Sequence, residues 1–343
     1  MHKAIHRGAL ALGVVLGLYA STAQASLTVL RSFVGNYGVS TSGWGSLTQA
    51  GTLTAHVPAG ATVKAAYLYT SAYRSFATDS TIGGTFESNA ITYTPLGVNV
   101  SADGLEAGRA DVTSIVAPVI NGGPGGAYNF SITENSSLQD GSALVVVYQL
   151  PSLPVSTVAV LDGFSESTGD STALQFPTPI NTAVPGFFAE MRLGIGFSCC
   201  GQASQVAVNG TVITQNAGNN DDSADANLNN GNLITVGGDN DPFSPMLPTY
   251  DEDHERYNLI PQITNGSTTI AVDTVNPSNN DNIFLAVFHV YGRAGVNGEP
   301  PAADTPQPVP LWSPVGMGVA SSLLGVLGAL GLGRRRRRGT AGH

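Results

Sequence analysis

Lysine is nearly absent from this chain: Lys3 and Lys64 are the only two. Between residues 26 and 333, seven basic residues stand against all 24 acidic ones, a net charge near −17. Neutralising a phosphate backbone needs clustered Lys and Arg, so nucleic acid is not an expected partner. Histidine is equally scarce. That span holds only His56, His254 and His289, with no H-x-H or H-E-x-x-H spacing to build a zinc site. Gly163-Phe164-Ser165-Glu166-Ser167 lacks the final Gly of a nucleophile elbow, and no Gly-rich phosphate loop follows a strand. These gaps point to a non-enzymatic protein. A calcium-assisted glycan hydrolase using paired carboxylates from 219–255 is the alternative, because such an enzyme needs only two carboxyls brought together by the fold. Cysteine is limited to the adjacent pair Cys199 and Cys200. In an oxidising compartment these thiols can close a vicinal disulfide, bridge to another chain or stay free.

What is present lies first at the ends. His2, Lys3, His6 and Arg7 precede an uncharged run from Gly8 to Ala20 and the triplet Ala23-Gln24-Ala25. That order predicts a signal peptide over 1–25, cleaved before Ser26 by the secretion machinery. Val315 to Gly333 is 19 residues without a charge, about 28 Å as a helix, which is enough to span a membrane. Arg334, Arg335, Arg336, Arg337 and Arg338 follow, and the positive-inside rule leaves them in the cytoplasm with the body outside.

The tail resembles the C-terminal sorting signals of Gram-negative surface proteins, the Ile-Pro-Thr-Leu and Pro-Glu-Pro types. Val309, Pro310, Ser313 and Gly316 match the short motif, while Leu311, Trp312 and Val315 depart from it. The resemblance implies an exosortase-like enzyme that removes the tail beyond about residue 310, that is the sorting signal 311–338 together with the short segment 339–343 that follows it. It also implies an inner-membrane intermediate followed by the cell surface or the extracellular space. A Pro-rich linker over 296–310 joins this signal to the body.

The body, 26–295, holds one large domain or two packed subdomains. Abundant Gly and Pro with alternating β-branched and aromatic runs predict an all-β fold. Strands are expected at 27–34, 52–57, 63–69, 128–133, 143–148, 157–161, 187–197, 268–272 and 283–291. Asn209-Gly210 predicts a type I′ hairpin within 206–213. Leu144 to Val147 is continuously apolar and reads as a strand covered on both faces. Tyr67 and Tyr69 share a face with Ala65, as a core ridge rather than a sugar platform. Asp111 to Ile120 predicts a short helix. The expected architecture is an antiparallel, jelly-roll-like β-sandwich with long Gly-, Asn- and Asp-rich loops, flanked in the precursor by the signal helix and the transmembrane helix.

The order Pro58-Ala59-Gly60-Ala61, Ala66 to Tyr69, Ala110 to Thr113, Gly141 to Tyr148 and Asp162-Gly163 is similar to a family of secreted bacterial and archaeal proteins without assigned activity. That resemblance implies a β-rich surface module and brings no site residues with it. Adhesion, matrix building or contact with a surface polysaccharide is the expected work.

Residues 219–255 carry nine carboxylates and no Lys or Arg. Oxygen ligands at this density suit Ca²⁺, with Asp221, Asp222, Asp225, Asp239, Asp241, Asp251 and Asp253 as candidate ligands. Asp225-x-Asn227-x-Asn229 starts like an EF-hand loop. Val236 stands where the bidentate Glu belongs, so only a generic loop site remains. Asn276 to Asn282, with Asp281, is a second oxygen-rich cluster, although Asn276-Pro277 also reads as a simple turn.

Overall fold

The computed structural model describes residues 26–45, 48–73, 82–99, 104–165, 168–196, 203–218, 234–277 and 282–301. The expected signal peptide, Cys199 and Cys200, Asp221, Asp222, Asp225, Asp281 and the whole sorting tail, Val309 to Arg338, lie outside the described residues. Among the described residues no helix is long and apolar enough to cross a membrane.

In chain order the strands are β1 (Thr28–Gly35), β2 (Tyr37–Trp44), β3 (Ala50–Val57), β4 (Thr62–Tyr73), β5 (Gly84–Phe86), β6 (Asn89–Ile91), β7 (Thr94–Asn99) and β8 (Leu105–Asp111). The helix α1 (Thr113–Ile120) follows, then β9 (Gly126–Glu134), β10 (Gln139–Gln149), β11 (Ser156–Asp162), β12 (Asp170–Gln175) and β13 (Ala189–Gly196). The rest are β14 (Ser204–Val208), β15 (Thr211–Ala217), β16 (Ile234–Val236), β17 (Arg256–Asn258), β18 (Thr269–Val275), β19 (Asn282–Tyr291) and β20 (Gly295–Val296). Every ladder between these strands is antiparallel, so the all-β, antiparallel expectation is what the structure shows.

The strands form four sheets. An outer sheet β3-β9-β5-β6 packs on β2-β10-β4-β8-β7; a sheet β1-β11-β19-β13-β16, with β17 beside β13, packs on β15-β14-β18-β12-β20. Three apolar layers separate them. Leu144 and Val146 of β10 face Leu53, Phe130 and the helix residues Val116 and Ile120. Val145 and Val147 of the same strand face Val158, Val160 and Val287 of the next sheet. On the far side of that sheet, Met191, Leu193 and Phe288 meet Val206, Val272 and Ile270. Antiparallel sheets commonly leave one face in water. Here the two inner sheets are covered on both faces, which is why β10 reads as an unbroken apolar run and why there are more layers than in a single sandwich. Each fully buried Val or Leu contributes about 1.5–3 kcal/mol.

Tyr67 and Tyr69 lie in the central layer with Ala65, and the Tyr69 ring is 6.0 Å from that of Phe284. The hairpin turns at Asn209 and Gly210 with φ of 49° and 78°, the paired left-handed residues of a type I′ turn. The helix begins two residues later than Asp111, but the Asp111 carboxylate still accepts the Thr113 N–H at 2.9 Å. The short strands β5, β6, β16, β17 and β20 have only two or three residues each and leave little trace in sequence alternation.

Candidate functional site

Two buried polar clusters and one open pocket stand out. The first cluster joins the two inner sheets. Arg192 and Glu190 on β13, Arg256 on β17 and His289 on β19 share one face with Asp239, which follows β16. Arg192 Nη2 donates to Glu190 Oε1 at 2.9 Å, and Nη1 donates to Asp239 and to the Thr41 hydroxyl of β2. Arg256 reaches Glu190 Oε2 at 3.2 Å, and its Nη1 donates to the Asp241 carbonyl at 2.8 Å. Burial alone would raise the Glu190 carboxyl, but His289, Arg192 and Arg256 outweigh it and hold the group at about 2.

The second cluster is a carboxyl pair. Tyr257 places its phenol oxygen 2.6 Å from Asp253 Oδ1 and 2.7 Å from Glu255 Oε2, with all three side chains buried. Thr214 donates to Asp253, and the Gly218 N–H donates to Glu255 Oε1 at 2.8 Å. Glu255 holds a left-handed φ of 55°, a conformation uncommon outside Gly, Asn and Asp. A phenol has one proton, and two carboxylate oxygens lie within hydrogen-bond reach of it.

These clusters take up two of the four described members of the predicted calcium set, Asp239 and Asp253. Asp239 is taken by Arg192 and by the Ser40 hydroxyl. Asp241 accepts the Gly238 N–H, and Asp253 belongs to the phenol pair. Asp251 sits exposed in a 3₁₀ turn, Tyr250–Glu252. Among the described residues, no three of His, Cys, Asp and Glu converge as a metal group.

The pocket lies at the end of the two C-terminal sheets, where β11 begins and β12 and β19 end. It encloses about 490 Å³, within the range of small-ligand sites. Phe176, Phe187 and Tyr291 supply half-buried rings, and Thr178, Asn181 and Arg293 supply polar groups. Phe187 packs 5.8 Å from Tyr291 at 49°, and Phe188 meets Tyr291 edge-on at 6.0 Å. The walls are tied down by backbone bonds. Phe176 N–H donates to Thr268 O at 2.8 Å, Ile180 N–H to Ser267 O at 2.8 Å, Tyr291 N–H to Phe188 O at 2.9 Å and Gly292 N–H to Val155 O at 2.8 Å. Tyr291 ends β19, and the 176–188 segment that carries Phe176 and Phe187 is tied by these backbone bonds to its neighbours, so the rings are positioned before anything binds. A smaller cavity of about 220 Å³ lies beside Ser244 and Tyr257, under the exposed Phe243 and Met246.

Sequence reasoning placed no residue in the larger pocket. Its aromatic members come from three separate segments, and the only local sign is the stiff Phe176-Pro177-Thr178-Pro179 run. No family model matches the chain, and neither the curated proteins nor the solved structures searched contain a match.

Proposed function

We propose that this chain is a non-enzymatic protein exported by its N-terminal signal, sorted to the cell surface through its Arg-ended tail, and built to contact carbohydrate there, as an adhesive or matrix component. The all-β body of several antiparallel sheets is the architecture on which this reading rests. The observation that supports it best is the pocket of Phe176, Phe187 and Tyr291. Fixed, half-exposed rings give a sugar face something flat to lie on, while Thr178, Asn181 and the Tyr291 hydroxyl offer hydrogen bonds at its edge. Calcium takes no part in this reading, since Asp239 and Asp253 are engaged by Arg192 and Tyr257. The carboxyl pair is closed off from solvent, which favours contact over hydrolysis.

Binding of the purified protein to a glycan panel tests the contact. A Tyr291→Ala, Phe187→Ala variant with an unchanged melting temperature is expected to lose it, and equal binding by the variant would refute it. For the address, protein extracted from the cell surface is expected to begin at Ser26 and to lack residues beyond about 310 by intact mass. Recovery of Arg334 to Arg338 there would mean a retained anchor.

A further inference from the structure

The pocket carries one more feature than a neutral sugar requires. Arg293 is exposed at its rim and is the one charged side chain among the described residues that line it. Arg109, Arg192 and Arg256 each lie against a carboxylate, whereas Arg293 makes no ion pair among the described residues. It follows directly on Tyr291 and Gly292. The Gly292 N–H is fixed to Val155 O, and its carbonyl accepts the Thr157 hydroxyl at 2.9 Å, so the guanidinium is carried on an anchored backbone. In a body with a net charge near −17, a cation without an ion pair among the described residues, beside a pocket whose described lining holds no carboxylate, is a local reversal of sign.

We infer that the pocket selects an acidic polysaccharide, taking a sugar unit that bears a carboxylate. This rests on the carbohydrate reading above. The ring face of the sugar lies on Tyr291 and Phe187, and the planar guanidinium of Arg293 pairs with the carboxylate through two parallel N–H donors. The acidic body repels a polyanion at long range. Recognition therefore acts at contact, and is read at physiological ionic strength, where the Debye length is about 8 Å.

The test is calorimetric titration of the full-length protein with oligogalacturonate and with its methyl ester, which differ only in the charge of the carboxyl. Wild-type protein is expected to bind the acid at least tenfold more tightly than the ester. Arg293→Gln is expected to erase that preference, and Arg293→Lys to keep part of it. Equal binding of acid and ester by wild type and Arg293→Gln would overturn the acidic specificity while leaving carbohydrate contact standing. Binding of neither would overturn it too, and the neutral members of the glycan panel then decide the contact separately. Decanoate binding as tightly as oligogalacturonate, with the same dependence on Arg293, would reassign the pocket to amphiphilic anions and overturn the inference.

Discussion

Thr41 and Arg192 belong to different inner sheets and stand 151 residues apart, yet the Arg192 guanidinium donates to the Thr41 hydroxyl at 2.8 Å. That hydroxyl in turn donates to the Gly237 carbonyl at 2.5 Å. The contact is one of the polar ties across a mainly apolar layer, alongside the one in which Tyr69 and Arg109 meet Asp162. Removing one partner of a buried ion pair leaves the other charged and poorly solvated. Arg192→Leu is expected to cost about 3–5 kcal/mol of unfolding free energy. Thr41→Val, which leaves the charges balanced, is expected to cost about 1–2 kcal/mol. Urea denaturation of the two variants measures both.

The acid and alkaline limits of stability are expected to come from different carboxyls. Glu190 is held at about 2, against 4.5 for the ordinary side chain. Between those values the unfolded chain holds a proton that the folded one does not, so stability rises with pH there, by about 1.4 kcal/mol per unit. Glu190→Gln is expected to abolish that slope below pH 4.5 and to lower stability above it.

Glu134 behaves in the opposite way. Burial pushes its carboxyl up to about 8, the Ser142 hydroxyl at 2.8 Å offsetting only part of this. Between 4.5 and about 8 the folded chain keeps a proton that the unfolded chain has released. Stability therefore falls as pH rises through that window, again by about 1.4 kcal/mol per unit. Glu134→Gln keeps an oxygen for Ser142 and is expected to flatten this slope, gaining on wild type most at pH 8. A melting curve series from pH 5 to pH 8.5 checks it.

The phenol of Tyr257 stabilises two buried carboxyls with one proton. Tyr257→Phe leaves the facing oxygens of Asp253 and Glu255 without it and is expected to lower stability by about 3 kcal/mol, well beyond the loss of a single ordinary hydrogen bond. A loss below about 1 kcal/mol would mean that the pair does not depend on the phenol.

Two glycines separate backbone cost from steric cost. A Cβ on Gly210, at φ of 78°, meets nothing within 4 Å, so Gly210→Ala is expected to cost only the left-handed penalty of about 1 kcal/mol. A Cβ on Gly51 falls 1.9 Å from the indole of the buried Trp44. Gly51→Ala must displace that ring and is expected to cost about 3 kcal/mol. Chemical denaturation ranks the two.

The sequence was most informative where one residue pattern had one physical outcome. Asn209-Gly210 dictated its turn, and the run through Val145 and Val146 announced a strand covered on both sides. The ridge of Tyr67 and Tyr69 went into the core as its alternation with Ala65 implied. The number of sheets was not legible, because burial of a strand on both faces does not say what covers it. The pocket was hidden for a related reason. Phe176, Phe187 and Tyr291 each look like ordinary edge-of-core aromatics, and only the meeting of three strand ends makes them a surface. Carboxylate density showed 219–255 only as one acidic stretch; that Asp239 turns toward Arg192, on a strand far off in sequence, and Asp253 toward Tyr257 depends on the fold.

β1 forms the edge of the sheet that β11 continues, although β2 to β10 lie between them in sequence and build the other inner sheet and its cover. The two halves are thus interlocked at their borders: the earliest strand of the polypeptide completes the later half. Severing the chain between Gln149 and Val155 would leave the amino-terminal fragment with an orphan strand and the carboxy-terminal fragment with a raw hydrogen-bonding edge along Ser156 to Asp162. Neither piece is a finished module, and a protein emerging amino end first must hold Thr28 to Gly35 in waiting until more than a hundred further residues have followed it out.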